Sequence, residues 1–442
     1  MKRFLSLILV IGMLMAAIMT VTSCKKEEKG KDKSGIGYTI EQDKYLFGMG
    51  EMPNLFGGGA TDSKATAEMT ANLTGAMKAQ SYRIWMHLTS VLEREPDSDK
   101  VSLKADRVKI YHEYIDKLKA QGITHFTAMS HYYLYPYGFS GGSLGNVIPD
   151  PETEDYTRFL NILRECYKLL SAEFPEVVYW EPGNETNSAR FIAKQGYLPG
   201  GSDIANEDYM YTQKEQAEIT TDISYYCNLG LKDNGKGQVT VLSGMVFEGL
   251  AAEYFLEDIY LSIESGKFPR GDAAKDTISD NYFEVLNWHP YQFGNSSAGW
   301  VENNKKLYAV AQKYGDDGKK VFLTELGIPD RIAAQVPSDK EGNIVWEEYQ
   351  NNAAEWMVNQ FKDIKEHMPF VETVHIFRLF DWKVNVDPAL PADSIEKTFG
   401  LFTTPNNTTF GPQPKPVAIA LLQYFQGESV DITGLYQYSV KK

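Results

Sequence analysis

Short apolar runs alternate along this chain with longer segments whose apolar residues recur every three or four positions. The short runs are rich in β-branched and aromatic side chains, which is typical of strands. They are continuously apolar, as expected for parallel strands that are covered on both faces. The predicted strands are Tyr45–Met49, Tyr82–Met86, His125–Met129, Val177–Trp180, Val239–Leu242, Val285–Trp288, Val321–Thr324 and Val374–Phe377.

A helical pattern follows each apolar run. Its apolar residues recur at the i, i+3, i+4 spacing of a helix with one buried face, and glycine often ends the pattern. The predicted helices are Lys64–Lys78, Val108–Leu118, Tyr156–Leu170, Gln213–Leu229, Ala251–Ser265, Trp300–Tyr314, Trp346–His367 and Pro416–Phe425.

Eight strand–helix units without a second zone of composition predict an α/β fold, a single (β/α)8 TIM barrel. We place this domain at residues 37–435. An open, doubly wound sheet is the alternative architecture. The absence of a GxGxxG sequence after the first strand disfavours that alternative.

The first 24 residues have the pattern of a lipoprotein signal peptide. A basic start precedes an apolar run, and Val21-Thr22-Ser23-Cys24 then forms a lipobox. The apolar run is short for a membrane span and ends at a processing site, so lipidation of Cys24 is favoured over an uncleaved anchor. Residues 25–36 are charged and polar, which predicts a flexible tether. We therefore expect a bacterial outer membrane lipoprotein that faces the periplasm or the cell surface.

Acidic residues outnumber basic residues. The chain carries 59 Asp and Glu against 44 Lys and Arg, a formal net charge of −15. This balance disfavours nucleic acid and anionic membrane surfaces as partners, and it suits a neutral substrate. We expect a monomer that meets the membrane only through its lipid anchor.

The cysteines and histidines predict neither a metal site nor another cofactor. No Cys/His cluster has the spacing of a zinc site. Beyond the lipobox, Cys166 and Cys227 either pair with each other or remain buried thiols.

Two glutamates end two of the predicted strands. Asn184 and Glu185 follow the fourth strand, and Glu325 follows the seventh. In a barrel, side chains at the carboxyl ends of the strands converge on one mouth. Paired carboxylates there suit cleavage of a glycosidic bond, since one protonates the leaving oxygen while the other attacks or stabilises the anomeric carbon. Glu181 competes for the acid role, although an ion pair with Arg83 is the favoured interpretation.

Other chemistry-bearing residues end the remaining strands. Arg83 lies in strand two, His131 ends strand three, His289 and Tyr291 follow strand six, and Trp382 follows strand eight. We expect these side chains to line the mouth that holds the two glutamates.

Some neighbouring residues have a simpler structural interpretation. Trp85 and Trp180 fit the core of the barrel, and Arg378 and Asp381 fit a local ion pair.

This set of residues resembles clan A of the glycoside hydrolases, the retaining barrels with acid and nucleophile on strands four and seven. It is most similar to families 5 and 39. The Asn184-Glu185 pair and the segment Thr324–Gly327 carry the resemblance, which extends over roughly residues 40–430. One departure is Thr186, which stands where many members have a proline after the strand-four glutamate.

The resemblance implies that Glu185 is the acid/base and Glu325 the nucleophile. Asn184 would bind the sugar 2-hydroxyl, and Trp382 would stack under the sugar at the cleavage point, because the C–H face of a sugar is apolar. The substrate-binding residues that the resemblance implies are Arg83, His131, Asn184, His289, Tyr291 and Trp382.

The favoured function is a retaining glycoside hydrolase that cleaves a β-linked neutral polysaccharide or oligosaccharide by double displacement, without a cofactor. One alternative is a non-catalytic, glycan-binding surface lipoprotein on the same barrel, which would tolerate the loss of either glutamate. Another is a metal-dependent barrel hydrolase. That chemistry usually needs His-x-His at the end of strand one, where this chain has Phe47–Glu51.

Overall fold

The structure of the protein is a computed structural model. It describes residues 46–51, 53, 55–56, 65–95, 98–131, 147–189, 191–194, 209–247, 251–265, 277–292, 297–330, 346–381, 398–405 and 411–439. The lipidation site Cys24, the tether and the predicted sugar platform Trp382 lie outside these residues.

Eight parallel strands, one of them interrupted, form the central sheet of the described residues. They are β1 Leu46–Gly50, β2 Ser81–Trp85, β3 His125–Ser130, β4 Tyr179–Pro182, β5 in the two segments Val239–Thr240 and Met245–Val246, β6 Val285–His289, β7 Lys320–Leu326 and β8 Val371–Phe377. A short antiparallel pair, Leu92–Arg94 with Val101–Leu103, lies outside this sheet.

The strands pair in chain order and close into a barrel. β1 pairs with both β2 and β8, so that Gly48 lies opposite Ser81 on one side and His375 on the other. The first segment of β5 pairs with β4, and the second segment pairs with β6. The barrel therefore closes through the interrupted fifth strand, and its closed, parallel order confirms the predicted fold class.

Eight long helices alternate with these strands in the described chain. They are α1 Ala67–Ala76, α2 Ala105–Ala120, α3 Glu154–Glu173, α4 Gln213–Asn234, α5 Ala251–Ser265, α6 Ser297–Lys313, α7 Trp346–His367 and α8 Pro416–Gln426. α4 begins with a capping box between Thr212 and Glu215 and ends at Gly235, whose φ of 66° suits a residue without a Cβ.

Buried aromatic residues pack the strands against the helices. Tyr82 of β2 is fully buried and accepts a hydrogen bond from the hydroxyl of Tyr114 on α2. Trp180 of β4 is also fully buried, and its indole N–H donates to the carbonyl of Val177 at 3.0 Å. Trp180 therefore belongs to the core, as predicted.

The two remaining cysteines are both buried and unpaired, which decides between the two possibilities that the sequence left open. None of the helices in the described part of the chain combines the length and apolarity that crossing a membrane requires.

Candidate active site

A tight turn after β4 carries Glu185 to the mouth of the barrel. Gly183 has a φ of 109° and Glu185 a φ of 45°, so both adopt left-handed backbone conformations. Asn184 forms an isolated bridge with Gly244, between the two segments of β5. The turn leaves the Glu185 side chain 19% exposed, which is the access that a proton donor to a substrate needs.

Asn187 fastens this turn to the fifth strand. Its Nδ2 donates to the carbonyl of Val246 at 2.9 Å, and the Val246 N–H donates to Oδ1 at 3.0 Å. The side-chain amide thus pairs with the strand as a backbone amide would. Asn187 was not predicted as a site residue, because its signal in the sequence is no more than a polar residue two positions after Glu185.

Glu325 projects from β7 into the barrel beside Thr324. Adjacent residues of a regular strand face opposite sides of the sheet. The pairing of β7 with β8, however, shifts register between Leu323 and Leu326. Such an irregularity re-aims side chains, so both Thr324 and Glu325 reach partners inside the barrel.

Two donors and a neighbouring histidine hold Glu325 in its ionised form. Arg83 Nη1 donates to Oε1 at 2.6 Å, and the Tyr291 hydroxyl donates to Oε2 at 3.0 Å. Burial alone would raise the pKa of Glu325, but the charges of His289 and Arg83 and both hydrogen bonds lower it below its usual value. Glu325 thus has the environment of a carboxylate that stays charged.

Arg83 and Glu181 form the buried ion pair beneath this carboxylate that the sequence predicted. Arg83 Nε and Nη2 donate to the two oxygens of Glu181 at 2.8 and 2.9 Å, and both side chains are fully buried. Burial opposes the charge of Arg83, but attraction to Glu181 and Glu325 raises its pKa. Further donors to Glu181 are the Gly244 N–H, Asn287 Nδ2 and Thr324 Oγ1.

These contacts favour a structural role for Glu181 over the competing acid role. Both of its oxygens accept hydrogen bonds, and it has no exposed surface from which to protonate a substrate. Arg83 also donates through Nη2 to Asn184 Oδ1 at 2.8 Å. The ion pair therefore links β2, β4 and the turn that carries Glu185.

His289 of β6 lies between the two candidate catalytic carboxylates. Its Nδ1 is 3.1 Å from Glu185 Oε1 and 3.6 Å from Glu325 Oε2, while Nε2 is 3.0 Å from Thr324 Oγ1. Burial would lower the pKa of His289, but Glu325 and Glu185 together raise it. A Cβ at Gly244 would come within 2.3 Å of this ring, so the approach requires glycine. The sugar contact expected of His289 stays a prediction.

Glu185, His289 and Glu325 bring their polar atoms within 4.8 Å of one another, and among the described residues these three groups form a possible metal site. The Arg83 guanidinium at 2.6 Å from Glu325 opposes a second cation there. The short separation of the two carboxylates is the main geometric property of the site.

His131 lies deeper than sequence analysis suggested. Its ring is fully buried between His87, at a centroid distance of 4.8 Å, and Phe191, at 5.6 Å. Its predicted contact with a sugar hydroxyl therefore stays a prediction.

Trp85 is only partly buried at the end of β2, so the core position predicted for it is wrong. His87 was not predicted as a site residue, although it continues the alternation of Arg83 and Trp85 along the chain.

Two buried cations that follow β8 in the chain, Arg378 and Lys415, form ion pairs with three carboxylates. Arg378 donates to both oxygens of Glu51, at 3.2 and 2.5 Å. Lys415 donates to Asp381 at 2.9 Å and to Asp330 at 2.8 Å. Arg378 and Asp381 therefore have separate partners, and the local pair predicted between them is wrong.

No family model matches the chain, and no curated protein matches it. Solved structures do match. The family 1 β-glucosidase from Thermotoga maritima has a TM-score of 0.55 at 13% identity, over 88% of this chain and 98% of its own. A family 39 glycoside hydrolase from the gut symbiont Bacteroides cellulosilyticus has a TM-score of 0.52 at 15% identity, over 87% of this chain.

A third match is GH5_18 from Streptomyces cattleya in complex with GlcNAc, with a TM-score of 0.50 at 14% identity over 83% of this chain and 75% of its own. This chain spans 64% of the length of the family 39 structure. At such low identity the shared property is architecture. The chain is therefore a single (β/α)8 barrel, with the fold found in glycoside hydrolases of families 1, 5 and 39.

Proposed function

We propose that this protein is a retaining glycoside hydrolase of the clan A type, acting on a β-linked neutral glycan. The observation that carries the proposal is the approach of Glu185 to Glu325, whose oxygens come within 4.8 Å at the mouth of the barrel. Retaining enzymes hold their carboxyl groups about 5–5.5 Å apart, whereas inverting enzymes need roughly 6.5–9.5 Å to admit a water molecule.

Glu325 is the nucleophile in this proposal. Its donors, Arg83 and Tyr291, hold a charged oxygen ready for attack. A Glu325 oxygen bonds to the anomeric carbon as the bond from that carbon to the leaving oxygen breaks. Glu185 is the more exposed of the two carboxyls, and it gives its proton to the leaving oxygen.

The second step releases the sugar. At this point Glu325 is esterified and uncharged, and Glu185, having given its proton to the leaving oxygen, is a carboxylate. Glu185 then takes a proton from water as the water oxygen bonds to the anomeric carbon and the bond to Glu325 breaks. His289 contacts both carboxyls, so it interacts with whichever of the two is charged at each step.

A neutral β-linked substrate is supported by two observations. The chain has a formal net charge of −15, which repels acidic glycans. One matched structure is a β-glucosidase. Within the site, Asn184 is the proposed partner of the 2-hydroxyl, since its Oδ1 already accepts from Arg83 and its amide nitrogen remains to donate.

The test is release of reducing ends from a panel of β-glucans, xylans, mannans and galactans, with protein that starts after Cys24. Release by wild type but not by Glu325→Gln is expected. Binding without release would favour the non-catalytic glycan-binding alternative. Anomer analysis by NMR of the first product distinguishes retention from inversion, and an inverted product would overturn the double-displacement mechanism.

Two substrates with different leaving groups test the role of Glu185 as the proton donor. Glu185→Ala is expected to slow cleavage of a natural glycosidic bond about 100-fold more than cleavage of an activated aryl glycoside, whose leaving group needs no proton. Equal losses would move the acid role to another group. Unchanged rates with a chelator present would separate this mechanism from a metal-dependent one.

We place the enzyme on the bacterial outer membrane, tethered through Cys24, with the catalytic domain spanning residues 37–435. The lipobox and the charged segment 25–36 support this proposal. Labelling with radioactive palmitate tests it: wild type should be labelled and Cys24→Ala should not. Wild-type protein without label in the membrane fraction would contradict the anchor.

A further inference from the structure

The inner face of β2 leads from the floor of the barrel to its mouth. Alternate residues of a strand share a face, so Ser81, Arg83 and Trp85 point the same way. Ser81 and His375 lie on either side of Gly48, and their side chains meet at 2.8 Å, which identifies this face as the interior one. Ser81 and Arg83 are buried, whereas Trp85 is partly exposed. Trp85 is therefore the last inward-facing residue of β2.

Trp85 packs against the arginine that holds the proposed nucleophile. The guanidinium carbon of Arg83 is 5.5 Å from the centroid of its ring. The same guanidinium donates to Glu325 and Asn184. The side chain of Arg83 thus contacts both the indole and the proposed nucleophile.

Two histidines and a phenylalanine support the indole. The rings of His87 and His131 stack at 4.8 Å with an angle of 18°, and Phe191 continues the stack at 5.6 Å and 6°. Trp85 meets both histidines edge-on, at 6.1 and 6.3 Å. Burial lowers the pKa of His87 to about 4 and that of His131 well below its usual value, so this stack carries no charge at neutral pH. The indole is therefore held by neutral rings in a fixed orientation.

We propose that Trp85 is a specificity-determining sugar platform, which stacks against the C–H face of the sugar next to the one attacked by Glu325. An aromatic ring and the apolar face of a pyranose exclude water from each other, and stacking adds to the area that they bury. This inference rests on the proposed function and deepens it, because it assigns the site to oligosaccharides rather than single glycosides. It also gives a function to a tryptophan for which the sequence offered only a core position.

The experiment measures binding in the Glu325→Gln background, by calorimetry, with the oligosaccharide that wild type cleaves best. Trp85→Leu keeps apolar volume but loses the flat ring, and it should weaken binding about tenfold, which corresponds to about 1.4 kcal/mol. Trp85→Phe keeps a flat ring and should stay within roughly threefold of the parent. Trp356→Leu, a partly buried tryptophan on α7, is the matched control and should bind normally.

Kinetics in the otherwise wild-type enzyme provide the second readout. Trp85→Leu should raise KM for the oligosaccharide by a larger factor than KM for an aryl monoglycoside, which has no neighbouring sugar to stack. Circular dichroism establishes whether each variant is folded. If Trp85→Leu does not fold, Trp85→Phe provides the comparison. Unchanged binding in a folded Trp85→Leu variant overturns the platform and leaves the hydrolase proposal intact. Binding that depends on Trp85 without any cleavage by wild type supports the platform and overturns the hydrolase. A protein that neither cleaves nor binds any glycan overturns both.

Discussion

The side-chain amide of Asn187 and the backbone of Val246 form two hydrogen bonds, of 2.9 and 3.0 Å, in opposite directions. This relationship joins the turn that carries Glu185 to the second segment of β5. The position of the proposed acid/base therefore depends on a side chain that touches no reacting atom.

Asn187→Asp tests this positioning role. The carboxylate cannot donate to the Val246 carbonyl, so the Glu185 turn should shift and proton donation should weaken. We expect about a tenfold loss of kcat on a natural glycan but a much smaller loss on an activated aryl glycoside, which needs no proton. Asn234→Asp, at the end of α4, is the matched control. Equal losses on both substrates would contradict a role that acts through Glu185.

Tyr291→Phe should move the acid limb of the pH–rate profile. Burial raises the pKa of Glu325, and His289, Arg83 and the Tyr291 hydroxyl together outweigh it. Removing this donor raises the pKa, so a smaller fraction of Glu325 is ionised at acid pH and the limb moves to higher pH. A hydrogen bond to a charged group contributes about 1.5–3 kcal/mol, so kcat/KM should also fall roughly 10- to 100-fold.

The measurement for this variant is kcat/KM against pH, which reports the free enzyme. Tyr308→Phe removes a hydroxyl that bonds backbone carbonyls near the start of β7, far from the mouth, and serves as the control. A lower rate with an unmoved acid limb would show that Tyr291 does not tune the nucleophile.

Glu181→Gln should destabilise the folded protein by about 3–5 kcal/mol, because it leaves the buried guanidinium of Arg83 without its charged partner on that side. Urea unfolding followed by circular dichroism measures the change. Glu95→Gln removes an exposed pair with Lys100 and should leave the midpoint unchanged. A Glu181→Gln variant as stable as wild type, with only its activity reduced, would return Glu181 to consideration as a catalytic acid.

Glu284 makes a pH-dependent contribution to stability. Burial raises its pKa to about 7, against a usual value of 4.5, while its Oε2 accepts from the Thr240 N–H at 2.8 Å. Between these values the folded state holds a proton that the unfolded state has lost, so this group reduces stability as pH rises from about 4.5 to about 7.

Glu284→Gln keeps an acceptor for Thr240 and removes the titration. Its Tm should equal that of wild type near pH 4.5 and exceed it by about 1–3 °C at pH 8. Thermal scans across this range measure the difference, with Glu366→Gln at the exposed end of α7 as control. A difference that does not grow with pH would contradict a raised pKa in the folded state.

Periodicity predicted the barrel because strand and helix patterns depend on local sequence. Helices α5 and α7 have the predicted bounds. The fifth strand was predicted as one run, Val239–Leu242, but it is divided into two segments. At the interruption the Ser243 hydroxyl donates to the Pro182 carbonyl, and the backbone of Asn184 forms a bridge with that of Gly244. These partners are distant in sequence, so a local pattern does not contain them.

Partners that are distant in sequence also limited what could be predicted within the site. Motifs placed Glu185 and Glu325 at strand ends, and the structure brings them together as a barrel requires. The orientation of His289 depends on Thr324 from one neighbouring strand and on Gly244 from another. Trp85 fitted a core position in the sequence, as an apolar residue in a strand does. Its exposure follows from being the last inward residue of β2, which only strand register determines.

The interrupted fifth strand has a consequence for heat tolerance. Between its two segments the ladder is reduced to isolated bridges, Val241 with Val285 and Asn184 with Gly244, so fewer hydrogen bonds resist local opening there than elsewhere in the sheet. The turn bearing Glu185 is attached to the sheet at this interruption. Opening at this interruption would displace Glu185 as well, so heat should abolish the proposed activity reversibly at temperatures where the rest of the barrel is still intact.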